Sequence, residues 1–364
     1  MIRVLIADDS STMRALVRAV LDSDGELTVV GEARDGEEAV SLCRSLGPDV
    51  ATMDIRMPNM DGFEAIRRIM AERPTPIIVL TSPESDRELG ITYKGIEAGA
   101  MMVLGKPRGL PDTDPEAGRL ISHLKAIAGV KMVTRRTRAG RSERPAGPAP
   151  FGGQPAVRGP RATVRLAAIG TSTGGPPALQ VVLGSLPADF RVPILIVQHM
   201  SPGFIAGLAR WLDETTPVRV KVAEPGELLR PATAYFAPDD RQLNVSPEGR
   251  VWLLPRALVD GHCPSATALF ASVARSYGSA AVGVLLTGMG RDGADGLLDL
   301  RRSGALTIAQ DEKTSIVFGM PKEAIDLGAA VEVLPLGRVG PRLQEVVGAA
   351  GAQRTAQLGT GGGG

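Results

Sequence analysis

Between Lys131 and Arg161 the chain carries eight basic residues against one acid, Glu143, together with five prolines, five glycines and few large apolar side chains. Such a stretch cannot bury enough apolar surface to offset its ordering entropy, so it cannot join a core. Whatever folds must fold on either side of it, and in a chain of 364 residues each side has the length of an ordinary domain. We therefore expect a first domain over residues 1–127, a basic Pro/Gly-rich linker over 128–161, a second domain over 162–350 and a flexible tail over 351–364.

The flanks have the material for two cores, since hydrophobic residues make up 43% of the chain and charged residues 22%. A formal net charge of +1 gives no long-range field of the kind that marks a nucleic-acid binder, and none is expected as a partner. Cys43 and Cys263 lack the paired spacing of a zinc or dithiol site, which fits a reducing compartment. The chain shows no basic leader and no apolar run of about 18 residues, so the expectation is a cytoplasmic protein without membrane insertion.

Before the linker, apolar runs at Val4–Ala7, Val29–Gly31, Val50–Met53, Ile77–Leu80 and Met101–Leu104 alternate with helix-like segments such as Thr12–Asp22. That rhythm predicts βα units on a parallel sheet. After the linker, Leu166–Ile169, Ile194–Val197 and Val282–Leu286 predict strands buried on both faces, so both halves are α/β. Between Val218 and Leu254 short β-prone pieces separated by Pro and Gly turns suggest an inserted hairpin.

Ligands of open parallel sheets gather beyond the carboxyl ends of the strands. In the first domain those positions hold Asp8 and Asp9, Asp54, Thr81 and Lys106. Three converging carboxylates need a hard cation and an ammonium group to offset their repulsion, and Mg²⁺ with oxygen ligands suits the set. One aspartate could then take a phosphoryl group. The alternative is a set of surface acids with an exposed lysine. The order Asp-Asp, Asp, Thr, Lys-Pro resembles the response-regulator receiver domain, a flavodoxin-like fold. The resemblance implies Asp54 as phospho-acceptor, Asp8, Asp9 and Asp54 around Mg²⁺, Thr81 as switch hydroxyl and Lys106 as the phosphate's partner. Receivers commonly carry an aromatic residue three positions before the lysine, where this chain has Val103.

In the second domain, Gly170-Thr-Ser172-Thr-Gly-Gly175 follows an apolar run and precedes a probable helix. Small residues there let a carbonyl approach the backbone, and the helix N-terminus favours developing negative charge. The same turn also suits a nucleotide phosphate. A serine nucleophile needs a base, and the histidines are His123, His199 and His262. His199 ends the run Pro193–Gln198 and is the leading choice. His262 in a loop is the second, and His123 reads as an ordinary surface side chain. Asp292, in Thr287-Gly-Met-Gly-Arg-Asp292-Gly, supplies an acid at a third strand end. The chain order Ser172, His199, Asp292 differs from chymotrypsin, subtilisin and the α/β-hydrolases. Each residue also has a structural reading, as helix cap, core imidazole and turn acid.

These motifs, with Gln198-His199-Met200, Pro202-Gly203-Phe204 and Ala309 to Pro321, resemble the CheB family of chemotaxis protein-glutamate methylesterases over nearly the full chain. The resemblance implies a doubly wound, mostly parallel second domain. It also implies a serine esterase with Ser172 as nucleophile, His199 as base and Asp292 as its orienting acid, with Thr173 and Met289 near the oxyanion. Ester hydrolysis would need no cofactor, and deamidation of glutamines would use the same chemistry. The implied partners are a methylated chemoreceptor, or a similar membrane signalling protein, as substrate and a histidine kinase as phosphodonor. Family members often have Arg-Pro-Ser followed two residues later by Asp; here the positions hold Cys263-Pro264-Ser265 and Thr267.

Overall fold

The computed structural model describes residues 1–82, 93–130 and 163–358. The linker expected over 128–161 therefore lies, from Lys131 on, outside the described residues, as does Gly359–Gly364.

The first sheet has five parallel strands, β1 (Ile2–Ala7), β2 (Leu27–Ala33), β3 (Val50–Met53), β4 (Ile77–Thr81) and β5 (Met102–Gly105), in the order β2-β1-β3-β4-β5. The chain reverses its winding between β1 and β3, and the ends of these two strands carry Asp8 and Asp54. Helix Ser11–Asp22 starts where Ser10 caps the Met13 amide, one residue before the predicted start. It buries Val17, Val20 and Leu21, the face that its periodicity marked.

The second sheet runs β14-β13-β12-β6-β7-β9-β8, all its pairs parallel. Its strands are β6 (Leu166–Thr171), β7 (Ile194–Gln198), β8 (Arg219–Val222), β9 (Thr233–Phe236), β12 (Ala281–Leu285), β13 (Leu306–Gln310) and β14 (Glu332–Leu334). The central strand β6 lies between β7 and β12, so three successive functional segments leave from neighbouring strand ends.

Two expectations change here. Only β10 (Gln242–Val245) and β11 (Val251–Leu254) form the antiparallel hairpin; the piece near Ala234–Ala237 is strand β9 of the main sheet, buried on both faces. The tail expected from residue 351 is helical to Leu358, because the last helix continues from Leu336 through that point.

The two halves share one core. Tyr93, fully buried, stacks on Trp211 with ring centroids 5.8 Å apart and donates its hydroxyl to the Phe204 carbonyl at 3.1 Å. Trp211 Nε1 donates to Glu97 Oε1 at 2.9 Å, and Ser201 donates to Glu116. The first domain thus meets the second with β5 and the helices Lys94–Ala98 and Pro115–Ile127, against the segment that carries His199. Among the described residues no helix is long and apolar enough to cross a membrane.

Candidate functional site

Ser172 is the first residue after β6. Its amide donates to the Thr287 carbonyl beyond β12 at 3.0 Å, and the His199 amide beyond β7 donates to the Thr171 carbonyl at 3.1 Å. Gln198 completes the frame: its Nε2 donates to the carbonyl of Ser172 at 2.9 Å and to that of His199 at 2.8 Å. Gly175 makes room for it, since a Cβ there would stand 1.8 Å from Gln198 Oε1. Gly288 plays the same part on the other side, where a Cβ would meet Met320 Sδ at 2.2 Å and Ser172 Cβ at 2.8 Å.

Asp292 is buried at 1% exposure and fully engaged. Oδ2 accepts from His199 Nε2 at 2.8 Å and from the Ala266 amide at 2.7 Å; Oδ1 accepts from Ser265 Oγ at 2.6 Å and from the Thr267 amide at 3.0 Å. Burial alone would push its carboxyl up. The hydrogen bond and charge of His199, with the Ser265 hydroxyl and Thr267 amide, outweigh burial and hold it well below the usual carboxylate range. The Asp292 carboxylate accepts the Nε2–H of His199 in a hydrogen bond, the tautomer that leaves the ring's lone pair on Nδ1. Nδ1 is buried and has no hydrogen-bond partner among the described residues, so its lone pair can receive a proton. The bond from Ser172 Oγ to that nitrogen is consequently not made in this state, although both residues line one cavity of about 520 Å³.

Thr173 and Met289 follow the two tight turns. Among the described residues their backbone amides donate no hydrogen bond, which suits an oxyanion placed beside Ser172. Met289 lines the cavity and is 40% exposed, whereas Thr173 is fully buried.

The structure corrects the reading of His123. It is no surface side chain: helix Pro115–Ile127 carries it into the cavity wall, where Nδ1 lies 3.0 Å from Thr173 Oγ1. His262, the second choice for the base, stacks on His199 with centroids 4.1 Å apart and ties its Nδ1 to the Asp260 carbonyl at 2.8 Å. It supports the ring of His199 and does not replace it. Cys263 lines the same cavity, as do Met102, Val103 and Leu104 of β5. Sequence reasoning assigned no role to Gln198 or Ser265; a Gln directly before the candidate base, and a Ser at a helix start, were the only signals available.

In the first domain, Asp8, Asp9 and Asp54 each place a carboxylate oxygen within 4.8 Å of the others. Lys106 Nζ donates to Asp54 Oδ2 at 2.7 Å and reaches Asp8 Oδ2 at 2.8 Å. Burial pushes the Asp54 carboxyl up; Lys106 opposes this and the Asp8 charge adds to it. One ammonium against three carboxylates leaves negative charge for a hard cation, so the residues present fit Mg²⁺. The Thr81 carbonyl accepts the Lys106 amide at 2.9 Å, which fixes hydroxyl and ammonium at adjacent strand ends. Val103 is buried, and the aromatic ring that the first domain brings to the stack with Trp211 is that of Tyr93.

An acid cluster on a receiver-type sheet, packed over an α/β domain with serine, histidine and aspartate at neighbouring strand ends, defines a response regulator with a hydrolase-like output domain. Comparison with known proteins agrees. Residues 4–113 match the response regulator receiver domain and residues 167–343 match the CheB methylesterase family. The chain belongs to the CheB methylesterase family. It is 47% identical over 344 residues to the protein-glutamate methylesterase/protein-glutamine glutaminase 4 of Myxococcus xanthus (strain DK1622), covering 94% of this chain and 96% of that one. It is 44% identical over 349 residues to the corresponding protein of Nitrosospira multiformis, covering 95% and 97%. The crystal structure of the Thermotoga maritima CheB methylesterase catalytic domain is 38% identical, with a TM-score of 0.49 over 51% of this chain and 100% of that one.

Proposed function

We propose that this chain is a phosphorylation-activated protein-glutamate methylesterase, acting in the cytoplasm on a methylated chemoreceptor or a similar membrane signalling protein. The observation that carries the reading is the Asp292–His199 pair beside Ser172, in a cavity whose other wall is the receiver domain.

His199 Nδ1 takes the hydroxyl proton as Ser172 Oγ attacks the γ-carbonyl of a glutamate methyl ester. The amides of Thr173 and Met289 face the oxyanion. Collapse of the tetrahedral intermediate breaks the bond to the methoxy oxygen, which leaves as methanol with the proton held by His199. Water attacks the acyl-enzyme through the same nitrogen and restores Ser172, leaving a free carboxylate. A glutamine amide follows the same course with ammonia leaving, which is the glutaminase activity.

Control rests on the docked receiver. Its helix Pro115–Ile127 and strand β5 wall the cavity, so a large protein substrate reaches Ser172 only after the receiver moves. Mg²⁺ bound at Asp8, Asp9 and Asp54 would offset charge while Asp54 accepts a phosphoryl group from a histidine kinase. Lys106, now bonded to Asp54, then turns to the phosphate, and the change at β5 biases the contact toward opening.

The test is methanol release from methyl-labelled receptor with and without a phosphodonor. Ser172→Ala should lose roughly a thousandfold or more. Asp54→Asn should keep basal turnover but lose its response to the phosphodonor. Equal turnover of wild type and Ser172→Ala would reject the serine mechanism.

A further inference from the structure

The carbonyl of Ser172 accepts two hydrogen bonds, from Gln198 Nε2 at 2.9 Å and from the Gly175 amide at 2.8 Å. In a trans peptide the N–H of the next residue points away from that carbonyl, so these two donors turn the Thr173 amide to the opposite side. The Gly288 carbonyl is held in the same way, by the amides of Gly319 at 3.1 Å and Met320 at 2.9 Å, and this turns the Met289 amide. We propose that Gln198 is a positioning residue for ester hydrolysis: it aims the Thr173 amide at the oxyanion and ties that amide to the segment carrying the base.

Gln198 is the one side chain among these four donors. It also donates from Nε2 to the His199 carbonyl at 2.8 Å, so a single amide group grips the peptide after the nucleophile and the peptide after the base. The orientation of the group is forced, because turned over it would set its oxygen against two carbonyl oxygens. The consequence falls on Oε1, which is buried and has no hydrogen-bond partner among the described residues. Buried polar atoms are normally satisfied. An oxygen left bare so that both donors stay on their carbonyls points to a geometric task.

That task belongs to the transition state. A hydrogen bond accepted at the carbonyl polarises the peptide and strengthens its N–H as a donor. Negative charge develops only as Ser172 Oγ adds to the ester carbonyl, so the aim of the Thr173 amide counts in the chemical step and little in substrate binding. Loss of Gln198 should therefore lower kcat and spare KM.

This consequence for turnover rests on the esterase reading, whereas the hold on the Ser172–Thr173 peptide does not. Gln198→Met keeps the length and removes both donors. Gln198→Glu keeps the shape and, even when protonated, offers one donor to two carbonyls. In the full-length protein with phosphodonor, kcat on methylated receptor should fall about 10- to 10²-fold in both variants, with KM within about twofold of wild type. Thermal unfolding checks that the variants are folded. NMR on protein isotope-labelled at threonine nitrogen reads the hold directly. The Thr173 amide signal should move in both variants, while those of Thr171 and Thr287, joined by the bond from Thr171 Oγ1 to the Thr287 carbonyl at 3.0 Å, stay near their wild-type positions. Wild-type kcat in Gln198→Glu would mean that Gln198 acts through its shape, and a rise in KM alone would place it in substrate binding; either overturns the proposal. So would a Thr173 signal that does not move. A displaced Thr173 signal in a protein whose wild type releases no methanol would keep the hold and reject the esterase reading.

Discussion

His123 and Thr173 join the two domains one residue away from the nucleophile, with Nδ1 of the ring 3.0 Å from the threonine Oγ1. Burial, and secondarily the charge of Arg119, pushes the His123 pKa down to about 4. The docked ring is therefore neutral at physiological pH and accepts the Thr173 hydroxyl proton in a hydrogen bond. Freed from the contact, an imidazole titrates near its ordinary value of about 6.5.

A pH dependence follows with a definite sign. Between about 4 and 6.5 the undocked state binds more protons than the docked one, so docking is fully stabilised above that window and weakens as pH falls through it. At pH 5 the linked cost is about 2 kcal/mol. Small-angle scattering should show the unphosphorylated chain expanding between about pH 7 and pH 5, and His123→Asn should remove most of that change. An identical expansion in both proteins would assign the effect to other groups.

Tyr93 is the second handle on docking. Its ring is fully buried against Trp211 and its hydroxyl is satisfied by the Phe204 carbonyl, as expected of an aromatic anchor at the centre of a contact. Truncation to alanine removes about 2 kcal/mol or more from such a contact. Basal methanol release by unphosphorylated Tyr93→Ala should rise about tenfold or more, while its phosphorylated rate stays near that of wild type. A basal rate equal to that of wild type would show that docking does not limit access to Ser172.

How much of this was legible in the sequence differs from residue to residue. Ser172 and His199 could be placed because each directly follows an apolar run, and Asp292 because a glycine-rich turn carries it beyond a third, and parallel sheets bring such ends together. The acid cluster was legible for the same reason. His123 was not: its helix reads as amphipathic and exposed within its own domain, and only the second domain buries it. Strand β9 was misjudged because Pro231 and Pro238 flank it like the turns of a hairpin, while its pairing partners β7 and β8 are set by tertiary packing. Tyr93 follows residues outside the described part of the chain, and its partner Trp211 lies beyond the linker, so no local pattern joins them.

Gly288 tests the geometry on the oxyanion side. A methyl group there would press on Met320 Sδ and on Ser172 Cβ, so either the serine or the Met289 loop must move. Gly288→Ala should lower kcat by about 10²-fold, with little change in KM, because the oxyanion amides and the nucleophile lose their mutual register. A steady-state comparison on methylated receptor decides it. A rise in KM alone would place Gly288 in substrate binding.

Ser265 separates the position of the acid from its charge. Its hydroxyl donates to Asp292 Oδ1 at 2.6 Å while accepting the Ala268 amide at 3.2 Å, which caps the helix Ala266–Tyr277. Ser265→Ala therefore costs about 1 kcal/mol of stability through the cap. The activity loss has another origin. Asp292 lies well below the usual carboxylate range, so the stability that it contributes is present above its ordinary value of 3.8 and is lost only as pH falls below it. Losing one of four hydrogen bonds leaves it ionised at neutral pH, and no new acidic limb should enter the pH profile. What the variant loses is the fixed direction of the carboxylate toward His199 Nε2, for which a fall in kcat of about tenfold at unchanged KM is expected. Asp292→Asn, which removes the charge and the tautomer control together, should fall by about 10⁴-fold. Ser265→Thr, which keeps both the hydroxyl and the cap, should recover most of the activity. Equal loss in Ser265→Ala and Ser265→Thr would mean that the side chain acts through packing, and that Asp292 needs only its backbone donors to hold the base in place.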